Sequence, residues 1–420
     1  MTSFETVFIL VVYGIAFFEL FLLSLNFRNA KLSKVSLPDN LRDVFSDDLI
    51  EKSVEYSRAK SLFVIVSSVV NLVALSIGIF WGFGVIESLS MKLAEGFALR
   101  GLIFFSLIAS IYFFISLPFS IYSTFVLENR YGFNRTTPKT FVSDKIKEVL
   151  LAAGIGLPLV YLALLAIDSF EYWWVYLLIG VIAFELLTQL IFPTIILPLF
   201  YKLKPLEDED LMKRIRAIAE RSGFAVKSIL VMDASRKTGH TNAFFTGIGR
   251  AKRIVLYDSL LEKHSSEEIE AIFAHEAGHF KRKHILKGML LSNAVTVFAV
   301  FLLWLIVESD TVAGIFGISE KYTILLYAGI FLSSIFTVLD WIDSFISRKW
   351  EFEADRYAAQ ITGNPQPMIG ALKNLSVSNL SNLSPHPMYA ALYYSHPPSW
   401  ERIEKLNKIV SNIHERKSRG

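Results

Sequence analysis

The dominant pattern along this chain is a series of long apolar runs separated by polar segments. Each run is close to the roughly 20 residues that a helix needs to cross the hydrocarbon core of a bilayer. Seven such runs are present, at residues 7–25, 61–86, 98–126, 149–167, 172–200, 286–307 and 322–347. The pattern therefore predicts a mainly α-helical, polytopic membrane protein with seven transmembrane helices.

The polar segments predict structure outside the bilayer. Residues 206–222 have the spacing of an amphipathic helix. Strands are predicted at 227–232, 242–248 and 253–257. Ser265 and Glu268 form a capping-box pattern that opens a helix at about residue 266. Residues 351–361 extend the last run as a helix, which breaks at 364–366 before more helix follows.

The chain thus divides into four parts: 1–200 with five spans, 201–285 outside the membrane, 286–350 with spans six and seven, and 351–420 outside it. Hydrophobic residues make up 53% of the 420 positions and charged residues 19%, which argues against a soluble protein. The absence of cysteine excludes disulfides and thiolate chemistry. The net charge of +3 is too small to indicate a nucleic-acid partner.

Lysine and arginine alternate between the two sides of the predicted membrane. The segments after the first, third, fifth and seventh runs are basic, whereas those after the second and sixth carry only Lys92 and Lys321. By the positive-inside rule, the amino terminus lies outside or in a lumen and the carboxyl terminus lies in the cytosol. The first run has no basic residue before it, so we expect a retained span rather than a signal peptide.

The strongest chemical signal is the motif His275-Glu276-Ala277-Gly278-His279. On a helix, residues i and i+4 lie on one face, so both imidazoles can bind one Zn²⁺ ion at about 2.0–2.1 Å. Glu276 lies beside the first ligand and can act as a general base toward zinc-activated water. A chance match on a charged surface helix is the alternative. Gly278 costs a helix roughly 1 kcal/mol relative to alanine, which indicates a packing requirement.

A catalytic zinc site needs a third protein ligand and an open position. Glu351 and Asp355 are again four residues apart, so one can bind zinc while the other holds a ligand histidine by its free ring N–H. Glu353 faces another side of the helix, which favours Glu351 as the ligand. A solvated acidic patch is the alternative. Both His279 and Glu351 lie within roughly 10 Å of one membrane interface, because each is only a few residues from a run.

His396 follows Ser395 and precedes two prolines, with Arg402 at the start of the next predicted helix. The prolines fix the turn, so His396 and Arg402 can donate hydrogen bonds to the oxyanion of a tetrahedral intermediate. A plain helix-capping turn is the alternative. His284 is five residues beyond His279, and we expect it to face elsewhere, at the surface.

Polar side chains also occur inside the apolar runs. They are Glu19, Asn71, Arg100, Glu185, Gln189, Asp340 and Asp343. Charge is costly in lipid, so these groups should face one another or water. Pairing between helices and a polar cavity within the bundle both remain open.

Taken together, these motifs resemble those of the type I CAAX prenyl proteases over nearly the whole chain. The matching segments are the two metal motifs, residues 125–134, 198–200 with 204–206, 241–245, 253–258, and 395–398 with Arg402. The resemblance implies seven long helices around a chamber, covered on the cytosolic side by an α+β, gluzincin-type zinc peptidase domain.

The resemblance also implies roles for individual residues. His275, His279 and Glu351 would bind one zinc ion per chain, with Glu276 as the base. His396 and Arg402 would stabilise the transition state, and Asn242 would lie on the strand that pairs with the substrate backbone. The implied reaction removes the last three residues of a prenylated C-a-a-X terminus, so the expected partners are prenylated or membrane-associated polypeptides and the lipid bilayer.

Two other functions remain open. The loop between spans six and seven is short and no clear ER-retrieval signal ends the chain, which allows a prokaryotic owner and a role in membrane-protein quality control. The membrane would then be the inner membrane rather than the endoplasmic reticulum. A seven-span transporter or receptor with a degenerate zinc site is the third possibility, but it leaves the intact Glu276 unexplained.

Overall fold

The fold is described from a computed structural model that covers residues 3–32, 37–224, 226, 228–246, 253–309, 312, 315–318 and 320–418. Its α-helices are α1 (Ser3–Leu32), α2 (Asp47–Leu93), α3 (Phe97–Glu128), α4 (Pro138–Ser169), α5 (Trp173–Phe200), α6 (Glu209–Ser222), α7 (Asp258–Lys263), α8 (Ser266–Lys281), α9 (His284–Val307), α10 (Lys321–Thr362), α11 (Gln366–Ser378), α12 (Pro387–Tyr393) and α13 (Ser399–Ser418). Short π-helical turns interrupt α2 to α5. Among the described residues, seven helices are long and apolar enough to cross a membrane, namely α1 to α5, α9 and α10. The seven predicted spans are confirmed.

Several spanning helices are longer than their apolar runs. Helix α2 begins at Asp47, where the side chain of Ser46 accepts a hydrogen bond from the backbone N–H of Leu49. Helix α10 continues to Thr362 and ends at Gly363, whose φ of 71° a side chain would disfavour. Residues 351–361 therefore belong to the same helix as the seventh span, as the sequence indicates. This continuity joins residues 351–361 directly to the spanning bundle.

Aromatic side chains dominate one core of the spanning bundle. Phe8, Phe104, Trp173, Tyr322 and Tyr327 are almost completely buried in one cluster. The rings of Phe104 and Tyr322 lie 5.2 Å apart, and those of Phe8 and Tyr327 lie 5.7 Å apart. This packing holds α10 against α1 and α3 near the start of α10.

A small mixed sheet lies outside the membrane, formed by β1 (Leu203–Pro205), β2 (Ser228–Met232), β3 (Ala243–Thr246) and β4 (Arg253–Tyr257). The strand order is β1-β2-β4-β3, with β2 and β4 parallel and both outer pairs antiparallel. The predictions for β2, β3 and β4 are confirmed within the described residues. Lys227 and residues 247–248 of the predicted strands lie outside the described residues, and β1 was not predicted.

Helices α6 and α8 cover this sheet. Leu211 and Ile215 of α6 pack with Ile254 and Leu256 of β4 and with Phe273 of α8 in a single buried cluster. The capping box is confirmed, because the Ser265 hydroxyl accepts from the Glu268 N–H and the Glu268 carboxylate accepts from the Ser265 N–H. The sheet and its helices therefore fix the start and the direction of α8, the helix that carries the HExxH motif.

Candidate metal centre and active site

The three predicted ligands converge at one point. His275 and His279 lie one turn apart on α8, with their Nε2 atoms 3.2 Å from each other. Glu351 of α10 faces both, with Oε2 3.4 Å from His275 Nε2 and Oε1 3.1 Å from His279 Nε2. One ligand atom from each residue lies within 4.8 Å of the other two. Two helices that are far apart in sequence thus deliver three donor atoms to one small volume.

Close backbone contact between α8 and α10 makes this convergence possible. A Cβ atom on Gly278 would lie 2.9 Å from the Cα of Ala354 and 3.1 Å from its carbonyl oxygen, so no larger residue fits without movement. Ala277 and Ala358 are also buried at this contact. The packing requirement that Gly278 indicated is therefore confirmed, and it brings the face with both histidines against the face with Glu351 and Asp355.

A buried ion-pair network surrounds the ligands. His275 Nδ1 donates to Asp355 Oδ1 at 2.8 Å. Arg402 donates to both Asp355 oxygens at 2.7 and 2.8 Å, and its Nη1 lies 3.2 Å from Glu351 Oε2. Burial and Arg402 lower the pKa of His275, but hydrogen bonds with Asp355 and Glu351 outweigh them and raise its pKa to about 9. The site therefore favours positive charge at the position where a metal ion would lie.

The donor set fits zinc. Two imidazole nitrogens and a carboxylate match a His₂Glu catalytic zinc site, which leaves one position open for water or substrate. Glu351 Oε2 is buried and lies at ion-pair distance from His275 and Arg402, but it accepts no hydrogen bond of good geometry. A bound cation would satisfy this buried oxygen. The residues thus suit a divalent metal.

The metal site borders a cavity of about 790 Å³ between α9 and α10. Glu276 and His396 line it together with His279 and Glu351, so the predicted base and the predicted oxyanion donor face the same space as the metal ligands. His396 Nε2 lies 3.3 Å from Glu351 Oε1, and its Nδ1 lies 3.0 Å from the hydroxyl of Ser395. The His396 side chain is 65% exposed, so a substrate can reach it.

Arg402 occupies a different environment from His396. It is buried, with only 8% of its surface exposed, and its three guanidinium nitrogens contact Asp355 and Glu351. Its transition-state role stays a prediction. The geometry favours a role through the two carboxylates that it holds.

Asn242 lies directly before β3, which is an edge strand of the sheet. Its backbone carbonyl accepts from the N–H of Tyr257 and its side chain accepts from the N–H of Ala243, so Asn242 continues the pairing with β4. Phe244, two residues further, lines the cavity. The strand that follows Asn242 therefore borders the candidate active site, with its outer edge open among the described strands.

Some polar residues of the spans face the cavity. Asp340 and Asp343 of α10 line it, as do Ser292 and Thr296 of α9, so a polar cavity explains these positions. Pairing with a polar group of another segment explains other polar positions in the spans. Glu19 accepts a hydrogen bond from the Tyr393 hydroxyl at 3.0 Å, and Arg100 lies 3.9 Å from Glu320. Both interpretations of the intramembrane polar residues thus apply, each to a different subset.

The expectation for His284 was wrong. Its exposed fraction is 2%, and its ring contacts His279 and Glu353 and stacks on Trp350. The spacing of five residues suggested a different helix face only because one continuous helix was assumed. In the structure α8 ends at Lys281 and α9 begins at His284, and the turn between them returns His284 to the metal site.

Comparison with known proteins agrees with this arrangement. Residues 26–202 match the family model of the CAAX prenyl protease N-terminal region with five membrane helices, and residues 205–410 match that of peptidase family M48. CAAX prenyl protease 1 of Saccharomyces cerevisiae is 34% identical over 411 residues, which cover 90% of each chain. The CAAX prenyl protease 1 homolog of Dictyostelium discoideum is 34% identical over 402 residues, 92% of this chain and 93% of the relative.

The likeness extends to three dimensions. The crystal structure of S. mikatae Ste24p superimposes with a TM-score of 0.86 at 33% sequence identity, covering 95% of this chain and 98% of the other. Sequence and fold are therefore similar along the whole length, across both the spanning helices and the part that holds the metal ligands.

Proposed function

Because this chain belongs to peptidase family M48, among the CAAX prenyl proteases, we propose that it is a zinc endopeptidase that removes the last three residues of prenylated C-a-a-X termini. The observation that carries the proposal is the placement of the His₂Glu donor set, with Glu276 and His396, at the edge of the cavity between two spanning helices. The activity for which its relatives are named supplies the substrate class. The alternatives of quality control or transport are not favoured by these relatives.

In the proposed mechanism, His275, His279 and Glu351 would hold the zinc ion, and Asp355 holds His275 by its Nδ1–H. When bound, zinc polarises the scissile carbonyl and acidifies water. The Glu276 carboxylate takes the proton of the attacking water and passes it to the departing amine nitrogen. His396 donates its Nε2–H to the oxyanion of the tetrahedral intermediate. Arg402 acts through Glu351 and Asp355, because those carboxylates use its donors.

The peptide backbone is proposed to bind along the outer edge of β3 next to Asn242, extending the sheet by one strand. This edge carries unpaired backbone groups among the described residues and leads to Phe244 at the cavity. A lipid-modified cysteine just before the scissile bond would then lie beside the cavity. The cavity has a volume of about 790 Å³, which leaves room for a prenyl chain and part of a peptide.

We also propose that the amino terminus is outside or lumenal and that the metal site faces the cytosol, from the distribution of basic residues. The chain contains no cysteine. Single cysteines introduced into loops can therefore be labelled from one side of sealed vesicles without background. Labelling of a cysteine near Lys204 from the lumenal side would show that the orientation is opposite to the proposed one.

The proposal is tested by mass spectrometry of products from matched farnesylated and unmodified C-a-a-X peptides, using the full chain in lipid. Release of an intact tripeptide, abolished by a chelator and restored by zinc, is expected. The prenyl group should improve binding without being required for the chemistry, since the metal, base and oxyanion donor act on the peptide bond. Cleavage of other membrane peptides but of no prenylated one would move the function to quality control.

A further inference from the structure

Among the described residues, His284 is a buried histidine beside the metal centre that the proposed mechanism does not use. We propose that His284 is a positioning residue that fixes the ring of His279 and the tautomer in which His279 offers Nε2 to the metal. The inference rests on the proposed function in one respect, because it presupposes that the site binds a metal ion.

The contacts form a chain of three groups. His279 Nδ1 lies 3.2 Å from His284 Nδ1, and His284 Nε2 lies 3.2 Å from Glu353 Oε2. The far side of the His279 ring carries Nε2, which faces His275 Nε2 and Glu351 Oε1 at 3.2 and 3.1 Å. The Glu353 carboxylate thus contacts the His284 imidazole, which contacts the imidazole of the ligand His279.

The position of the proton follows from this order. Glu353 accepts hydrogen bonds only, so neutral His284 must carry its proton on Nε2 and donate it to that carboxylate. His284 Nδ1 is then an acceptor, and His279 must carry its own proton on Nδ1 and donate it there. This leaves a lone pair on His279 Nε2, the atom that faces the other two ligands. The opposite arrangement would place two lone pairs together at Glu353 and protonate the metal-binding nitrogen.

A backbone turn and a ring contact position the His284 side chain. Lys283, the residue before it, has a φ of 57°, a left-handed conformation that non-glycine residues rarely adopt. This turn separates α8 from α9. The His284 ring stacks on Trp350 with centroids 4.9 Å apart and planes inclined by 6°. Because Trp350 precedes Glu351 on α10, the same contact links His284 to the element that carries the third ligand.

The other ligand histidine is held in a simpler way. His275 donates its Nδ1–H directly to Asp355. Both histidines therefore bind metal through Nε2, but one is fixed by a carboxylate and the other by an imidazole that a carboxylate fixes in turn. Outer partners of metal-binding histidines typically contribute 10–100-fold to metal affinity or activity.

Two substitutions separate the hydrogen bond between His284 and His279 from the hydrogen bond between His284 and Glu353. In His284→Asn, the amide oxygen can take the place of Nδ1 and still accept from His279. In His284→Gln, the amide nitrogen can take the place of Nε2 and still donate to Glu353, but the acceptor for His279 is lost. The full chain in lipid is titrated with zinc against a competing chelator, and the electronic spectrum of the cobalt-substituted protein reports the ligand field. Thermal unfolding without metal is the control for folding.

We expect His284→Asn to keep zinc affinity within a few-fold of the parent protein and to keep its cobalt spectrum. We expect His284→Gln to lose about 10–100-fold in affinity and to change the spectrum, although both variants unfold at similar temperatures. Equal losses in both variants, no loss in either, or a loss confined to His284→Asn would overturn the positioning role. Failure of the parent protein to bind zinc would instead refute the proposed function, so the two failures are distinguishable.

Discussion

Gly278→Ala tests whether the close approach of α8 and α10 aligns the metal site. Alanine is the better helix former by about 1 kcal/mol, so propensity alone predicts a more stable protein. The added Cβ would lie 2.9 Å from the Cα of Ala354 and 3.2 Å from the Cβ of Tyr357. Ordinary contact for such an atom begins at 3.4 Å, so the two helices must separate by about 0.5 Å.

The separation acts directly on the site. His279 is one residue from Gly278, and Glu351 is three residues from Ala354, so the 3.1 Å distance between the ligand atoms of His279 and Glu351 must change. A displacement of about 1 Å can cost roughly 10²-fold in rate, so about 0.5 Å should cost roughly tenfold in kcat. Overpacking costs about 1–3 kcal/mol, which the gain in helix propensity partly offsets. We therefore expect a net loss of stability of about 0–2 kcal/mol.

The assay is kcat on a C-a-a-X peptide at saturating zinc, with zinc affinity measured separately. The matched control is Gly180→Ala in α5, where a Cβ would meet nothing within 4 Å. It adds the same methyl group to a spanning helix and should change neither quantity. Parent-like kcat and zinc affinity in Gly278→Ala would show that the helix contact does not set the ligand geometry.

Three further predictions test the assigned roles of single residues. Glu276→Gln should keep zinc but lose at least about 10²–10⁴-fold in turnover, because no base remains; near-normal turnover would remove Glu276 from the mechanism. Glu351→Ala should be isolated with little metal, whereas Glu353→Ala removes a partner of His284 and not a ligand, so it should weaken zinc affinity by at most about 10–100-fold and still retain close to one zinc per chain by elemental analysis. The reverse result would contradict the helix-face assignment. His396→Ala should lose about 10²–10³-fold in kcat with its metal content unchanged, and a parallel loss of zinc would indicate a structural role.

The spans and the metal motifs were predictable because their signals are local. A run of about 20 apolar residues is sufficient to identify a spanning helix, and ligands spaced i and i+4 identify one face of a helix. The continuation of the last span was predictable as well. Helix α10 is one element of 42 residues, and it continues past its apolar run, which ends four residues before Glu351. The residues that follow the run favour helix although they are polar.

Contacts between elements could not be predicted from local spacing. His284 was assigned to the surface because its turn depends on a left-handed Lys283, and lysine gives no signal for that conformation. The burial of Arg402 beside Asp355 could not be predicted either, because the sequence shows only the charge of Arg402.

Arg348 precedes Glu351 by three residues on α10, and its contacts predict an effect on catalysis. Its guanidinium donates to the carbonyl oxygens of Tyr394 at 2.6 Å and Ala391 at 2.7 Å, and it approaches that of Ala390 at 3.4 Å. These groups end α12, two residues before His396. Arg348 therefore fixes the loop that carries His396 to α10, the helix that carries Glu351.

Arg348→Met keeps most of the side-chain volume and removes every donor. Charged donors typically contribute about 1.5–3 kcal/mol per hydrogen bond, so the loop should loosen while the metal ligands stay in place. We expect kcat to fall by about tenfold or more, and not beyond the His396→Ala loss of about 10²–10³-fold, with unchanged zinc content. Lys349→Met, at an exposed neighbouring cation, is the control and should leave kcat unchanged. Because Arg348 acts through His396, the double variant should be no slower than His396→Ala alone, and an additive loss would mean that Arg348 reaches the reaction by another route.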